Sequence, residues 1–149
     1  MPRDVREVIA DWLIVLGAVA LLVALFLPWS HQFSPGFEAR FAPTGMLRGV
    51  PRDPTAWQVY SLADVGFALI VAGLLVAAMI GGRTRRLGVL LAAAVALAFT
   101  VHARSAPPTT GTVVHAPVTN RPRPGAGETV AIAALGVAIA GLVLSFTAD

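Results

Sequence analysis

The sequence predicts an all-α membrane protein: a four-transmembrane-helix bundle with a small, β-containing loop cap at one end. Three observations carry this reading. Of 149 residues, 56% are hydrophobic and only 13% are charged, whereas soluble domains hold roughly 45–50% and about 25%. The apolar residues gather in four runs, each near the length needed to cross a hydrocarbon core. None of the 11 prolines falls inside those runs. The whole chain reads as one membrane domain.

The first span covers about Ile9–Leu27. Arg3 and Arg6 precede it, as they would in a signal peptide. The residues after its core, Leu25-Phe26-Leu27-Pro28-Trp29-Ser30, contain no small-x-small cleavage pattern, so a retained anchor is expected. Asp4 and Glu7 suit its positive dipole end, and Pro28 stops it. The second span, about Leu62–Ile80, opens at Ser61-Leu62-Ala63-Asp64, which has the form of a capping box. The third, about Leu87–Val101, is the shortest and is rich in alanine. It is expected to insert as a hairpin with the second through a Gly81–Arg86 turn. The fourth covers about Val130–Phe146. From Trp12 to Leu27 and from Val65 to Ile80 there is no polar side chain. A soluble bundle needs a polar stripe at the helical period on each outer helix, and these segments have none.

Orientation follows arginine density beside short loops. Arg83, Arg85 and Arg86 crowd the shortest loop, and Arg3 and Arg6 lie at the N-terminus. Both termini are therefore expected in the cytoplasm, with Arg83, Arg85 and Arg86 against lipid headgroups. The long loops, about 29–61 and 102–128, are expected outside. Every basic residue is arginine and alanine is abundant, a bias of high-GC bacterial genomes, so the membrane is expected to be a bacterial plasma membrane.

The first long loop carries Trp29, Phe33, Phe37, Phe41, Trp57 and Tyr60. Trp29, Trp57 and Tyr60 are expected to form an aromatic cap at the outer interface, with Trp57 largely buried. Phe37–Phe41 and Thr112–Ala116 are expected as paired short strands, and Arg121–Gly127 as a flexible approach to the last span. Within the spans, small residues recur every fourth position: Gly88, Ala92, Ala96 and Thr100 on the third, Gly136 and Ala140 on the fourth, Gly73 and Ala77 on the second. Such stripes allow close helix contact in lipid.

Function is approached by exclusion. Without cysteine there is no disulfide framework and no thiolate site, which removes the quinone-linked disulfide-forming membrane enzymes. The net charge of +3 is scattered, so nucleic acid is not an expected partner. There is no nucleophile elbow, no zinc-protease motif and no lysine for lipid phosphatase chemistry. No ionisable residue sits at a span centre, as proton-coupled transport requires. His31, His102 and His115 share the outer side, but no two are spaced to ligate from one element. No metal, cofactor or catalysis is expected. What is left is a non-enzymatic tetraspan protein, an accessory, assembly or self-associating subunit of a cell-envelope complex. Its expected partners are membrane lipid and another membrane protein or a second copy. The alternative is a transport component or an outer-side ligand- or metal-binding protein.

One resemblance emerges from particular residues. Leu25-Phe26-Leu27-Pro28-Trp29 closes the first span, and Thr55-Ala56-Trp57-Gln58-Val59-Tyr60-Ser61 through Asp64-Val65 opens the second. These segments resemble a group of four-span membrane proteins of actinobacteria, in which an acid usually stands where Gln58 stands here. The resemblance spans about a third of the chain and implies the topology but no activity.

Overall fold

The computed structural model describes residues 3–60, 62–105 and 121–148. Four long helices dominate: α1 (Arg3–Ala24), α4 (Ala63–Ile80), α5 (Arg83–Ser105) and α6 (Ala126–Ala148). All four are long and apolar enough to cross a membrane. Their outward faces carry large apolar side chains, among them Trp12, Leu16, Leu69, Met79, Leu91 and Val95, each at least 56% exposed. Only lipid satisfies such a surface. The chain is a multi-pass membrane protein.

The helices run up and down. The start of α1, the end of α6 and the turn between α4 and α5 lie at one end, the turn end; the end of α1, the starts of α4 and α6 and the end of α5 lie at the other, the loop end. The turn is shorter than the sequence suggests. Gly81 and Gly82, at φ 68° and 98°, reverse the chain in a left-handed conformation that only glycine adopts readily. Arg83, Arg85 and Arg86 therefore belong to the first turn of α5 and not to a loop. α5 also continues to Ser105, past the Val101 expected from hydropathy. Hydropathy marks the apolar part of a helix, and arginines at its ends extend it to the interfaces.

The tightest contact joins α1 to α6. A methyl group on Gly17 would stand 2.6 Å from Ala138 Cβ and 2.8 Å from the Ala134 carbonyl; one on Gly141 would stand 2.8 Å from the Ala10 carbonyl. The backbones touch because both glycines lack a side chain. On α6 the seam runs Gly127, Ala131, Ala134, Ala138, Gly141 and Ser145, alternating steps of four and three. On α1 it runs Ala10, Ile14, Gly17, Leu21 and Ala24 in the same rhythm. This is the left-handed packing of near-antiparallel helices. Hydroxyls inside the bundle bond to their own helix, Thr100 to the Ala96 carbonyl and Ser145 to the Leu142 carbonyl.

The stripe expected on α5 does not form one face. Ala96 and Thr100 are buried, whereas Gly88 and Ala92 are exposed; Gly136 and Ala140 on α6 are exposed as well. A step of four advances about 40° around a helix of 3.6 residues per turn, so a long row of fourth residues winds off any flat contact. The buried face of α5 is instead Arg86, Ala93, Ala96, Thr100 and Ala103. On α4, Ala77 is fully buried and Gly73 faces Val89 of α5, where a methyl group would stand 3.3 Å from its Cγ2.

At the loop end a compact cap stands on the bundle. It comprises a two-residue strand β1 (Ser30–His31), helix α2 (Pro35–Phe41) continued by a 3-10 turn (Ala42–Thr44), and a single helical turn α3 (Ala56–Val59). β1 pairs antiparallel with β2 (Arg123–Pro124), placing His31 opposite Arg123. The cap does contain a β ladder, but not the expected one. Phe37–Phe41 is helical: Phe33, just before α2, stacks on Phe37 at 5.6 Å, and Phe37 meets Phe41 one turn on at 4.6 Å with rings tilted. Thr112–Ala116 lies outside the described residues. Arg123 and Pro124, expected to be a flexible approach, form the partner strand.

Candidate functional site

Trp29 anchors the cap in the bundle. It is fully buried, and its indole Nε1 donates at 2.7 Å to the Ala24 carbonyl at the end of α1, which also accepts the Leu27 N–H at 3.2 Å. Its ring lies edge-on to Tyr60 at 5.9 Å and to Phe67 at 5.5 Å, and Phe99 closes the group 5.4 Å from Tyr60. Trp57, expected beneath the cap, is instead 42% exposed beside Phe26. It sits on the outward side of α3, whose first turn points Ala56 inwards. The tryptophan that occupies the core is the one whose N–H meets a carbonyl.

Two carboxylates lie under this aromatic layer. Asp64 and Glu128, in the first turns of α4 and α6, are fully buried, and their oxygens have no hydrogen-bond partner among the described residues. Asp64 thus turns into the bundle and does not cap α4, whose N-cap residue is Leu62; Ser61 lies outside the described residues. The capping box of this region stands one helix earlier, where the Thr55 N–H donates to Gln58 Oε1 at 3.1 Å. Burial, then the negative potentials of Glu128 and Asp64, push the Tyr60 hydroxyl up to about 12. Arg104 of α5 reaches the Thr129 hydroxyl at 3.2 Å and adds a cation beside Glu128.

At the turn end, Arg86 is 4% exposed and donates to Asp11 at 3.0 Å, linking α5 to α1. It is a core residue and not a headgroup contact: a guanidinium one turn inside α5 has an acid across the bundle to meet. Arg83 and Arg85 are exposed.

An apolar concavity lies between α4 and α5, the slightest of the neighbouring helix contacts among the described residues. It is an open groove of about 450 Å³ walled by Gly66, Phe67, Ile70, Ala92, Val95 and Phe99, with almost no polar surface. Gly66 and Ala92 keep it open, since larger side chains there would fill it. Gly88 lies one turn before Ala92 on α5.

His31 belongs to the cap, His102 is exposed on the last turn of α5, and His115 lies outside the described residues. Among the described residues no three of His, Cys, Asp and Glu gather as a metal site would need. Of the residues brought together here, the Gly17–Gly141 seam and the Asp11–Arg86 pair escape a search for straight stripes. A search for alternating steps of three and four finds the seam.

No protein-family model, no curated protein and no solved structure matches this chain.

Proposed function

We propose that the protein is a non-enzymatic subunit of a larger membrane assembly, and that a helix of its partner lies in the α4–α5 groove. The groove carries this reading. The bundle is closed along α1–α6 by backbone contact, but between α4 and α5 it leaves about 450 Å³ of apolar space open to the side. Small residues line or flank that space at Gly66, Gly88 and Ala92, which is the chemistry that lets a second helix approach closely in lipid. Gly136 and Ala140 give α6 a smaller patch of the same kind. The same reading places the chain with the actinobacterial four-span proteins that its Leu-Pro-Trp and Thr-Ala-Trp segments resemble, in a bacterial plasma membrane with both termini cytoplasmic.

The chain has no cysteine, so any introduced thiol is unique. Ala92→Cys in native membranes is expected to form an oxidative crosslink of defined mass, twice that of the chain for a self-assembly. Leu16→Cys, which faces lipid from α1, is expected to form none. Equal crosslinking at both positions, or none at either, removes the groove as an assembly face. The orientation is checked the same way. Arg48→Cys is expected to react with a membrane-impermeant maleimide on intact cells, and Arg85→Cys only after lysis; the reverse pattern inverts the topology.

A further inference from the structure

The four long helices differ in length. α1, α5 and α6 have 22, 23 and 23 residues, whereas α4 has 18. At about 1.5 Å per residue α4 rises roughly 27 Å, short of the roughly 30 Å of a hydrocarbon core. Its outward surface is apolar from end to end. Leu62, just before its start, and Met79 and Ile80 at its finish are all exposed, while Asp64, its one charged residue, is buried. α4 therefore brings no polar turn of its own to the headgroups at the loop end, and the chain that precedes it takes that level.

The preceding element is α3. A single turn has no stability of its own, and its position is set from outside. Thr55 bridges to Pro28 at the end of α1, the Trp29 N–H donates to the Pro54 carbonyl at 2.9 Å, and Ala56 is fully buried. Held in this way, α3 turns Trp57 outwards with its ring 6.2 Å from Phe26. Phe26 is itself exposed, just past the end of α1, and continues the apolar face that α1 presents through Val19, Leu22 and Val23. The pair is thus the rim of the lipid-facing surface. The indole N–H groups differ as well: that of Trp29 meets the Ala24 carbonyl, whereas that of Trp57 has no acceptor among the described residues. A half-exposed indole with a free donor is matched by acyl methylenes on one side and lipid oxygens on the other.

We propose that Phe26, Trp57 and Leu62 form a foot that seats the cap in the interfacial layer of the leaflet at the loop end, with the Trp57 N–H donating to a phospholipid ester or phosphate oxygen. On the lipid side the foot completes the span that α4 leaves short. It does not hold the cap together, which is the part of Trp29 in the core; it sets the depth at which the cap rests. The foot belongs to the α1–α4 side of the bundle, so it stands or falls separately from the helix proposed for the α4–α5 groove.

The test is tryptophan quenching in phosphatidylcholine vesicles. The full chain carries Trp12→Phe, so that only Trp29 and Trp57 emit. Adding Trp57→Phe isolates the Trp29 signal, and the difference between the two chains is the emission of Trp57. Acyl chains brominated near the ester end are expected to remove most of that difference. Bromine near the methyl end is expected to remove much less, and iodide supplied on both faces of the vesicle very little. Trp29, enclosed by protein, is expected to respond weakly to all three quenchers. The conservative Trp57→Phe is expected to leave the melting of the chain in micelles unchanged, which shows that the difference reports one ring in an intact fold. Three results overturn the proposal. Quenching chiefly by iodide places Trp57 in water. Strongest quenching from the methyl end places it inside the hydrocarbon. Resistance to every quencher means that protein, and not lipid, covers the ring.

Discussion

Gly17→Leu is expected to be among the most damaging single substitutions in the transmembrane region. Even a methyl group there would stand 2.6–2.8 Å from Ala138 and the Ala134 carbonyl, and two of those three nearest atoms are backbone. A side-chain rotation cannot relieve the clash, so α1 and α6 must separate. The expected loss is about 3 kcal/mol, the upper end of overpacking costs. Gly141→Leu is expected to match it, because its hypothetical methyl group meets the Ala10 carbonyl and the Ile14 nitrogen at 2.8 and 2.9 Å. Ala92→Leu provides the contrast: its side chain enters the open groove and is expected to leave stability close to the parent. Denaturation in mixed micelles, followed by tryptophan emission, measures all three. Equal midpoints for Gly17→Leu and Ala92→Leu would show that the α1–α6 seam is not the principal contact.

Trp29→Ala is expected to cost about 3–5 kcal/mol, the range for deleting a large buried aromatic. Two effects combine. A cavity opens between Tyr60, Phe67 and the end of α1, and the Ala24 carbonyl loses its 2.7 Å donor. β1 follows Trp29 directly, and the N–H of Gly125, the residue after β2, bonds the Trp29 carbonyl at 2.8 Å, so the cap is expected to loosen with it. Limited proteolysis reads this out. Cleavage after Arg40, Arg48 and Arg52 is expected to accelerate in Trp29→Ala and to stay slow in Trp57→Ala, whose ring is 42% exposed. Equal protection in the two variants would mean that the cap folds without its anchor.

Hydropathy was sufficient to place all four spans, because each is an unbroken apolar run and the prolines stand outside it. It was less informative about contacts. Small residues every fourth position look like a stripe in the sequence, but Gly88 and Ala92 wind out to the surface while Ala96 and Thr100 turn in. The true seam mixes glycine and alanine with Ile14, Leu21 and Ser145, so composition alone does not outline it. The cap was harder for a different reason. Phe37 and Phe41 fit a strand and a helix equally over five residues, and only Phe33, one turn earlier, decides for the helix. Of the two tryptophans flanking the loop, nothing local told which would be buried; the carbonyl offered by Ala24 decided it. The pairing of His31 with Arg123 depends on register between residues about 90 apart in the chain, which no short-range pattern encodes.

The Asp11–Arg86 pair has a consequence for biogenesis. α5 is the least apolar of the four spans and carries a desolvated arginine near its start, a residue that membrane insertion penalises. The acid that offsets it lies 75 residues upstream, on α1. Because α1 precedes α5 in the chain, it is also a docking template for it: it waits in the bilayer with half of an ion pair until the matching half is synthesised. A truncated chain beginning at α4 would leave Arg86 desolvated with no acid to meet, which is destabilising. The order in which the ribosome delivers the helices is therefore written into the bundle, and the two halves of this protein are not separable modules.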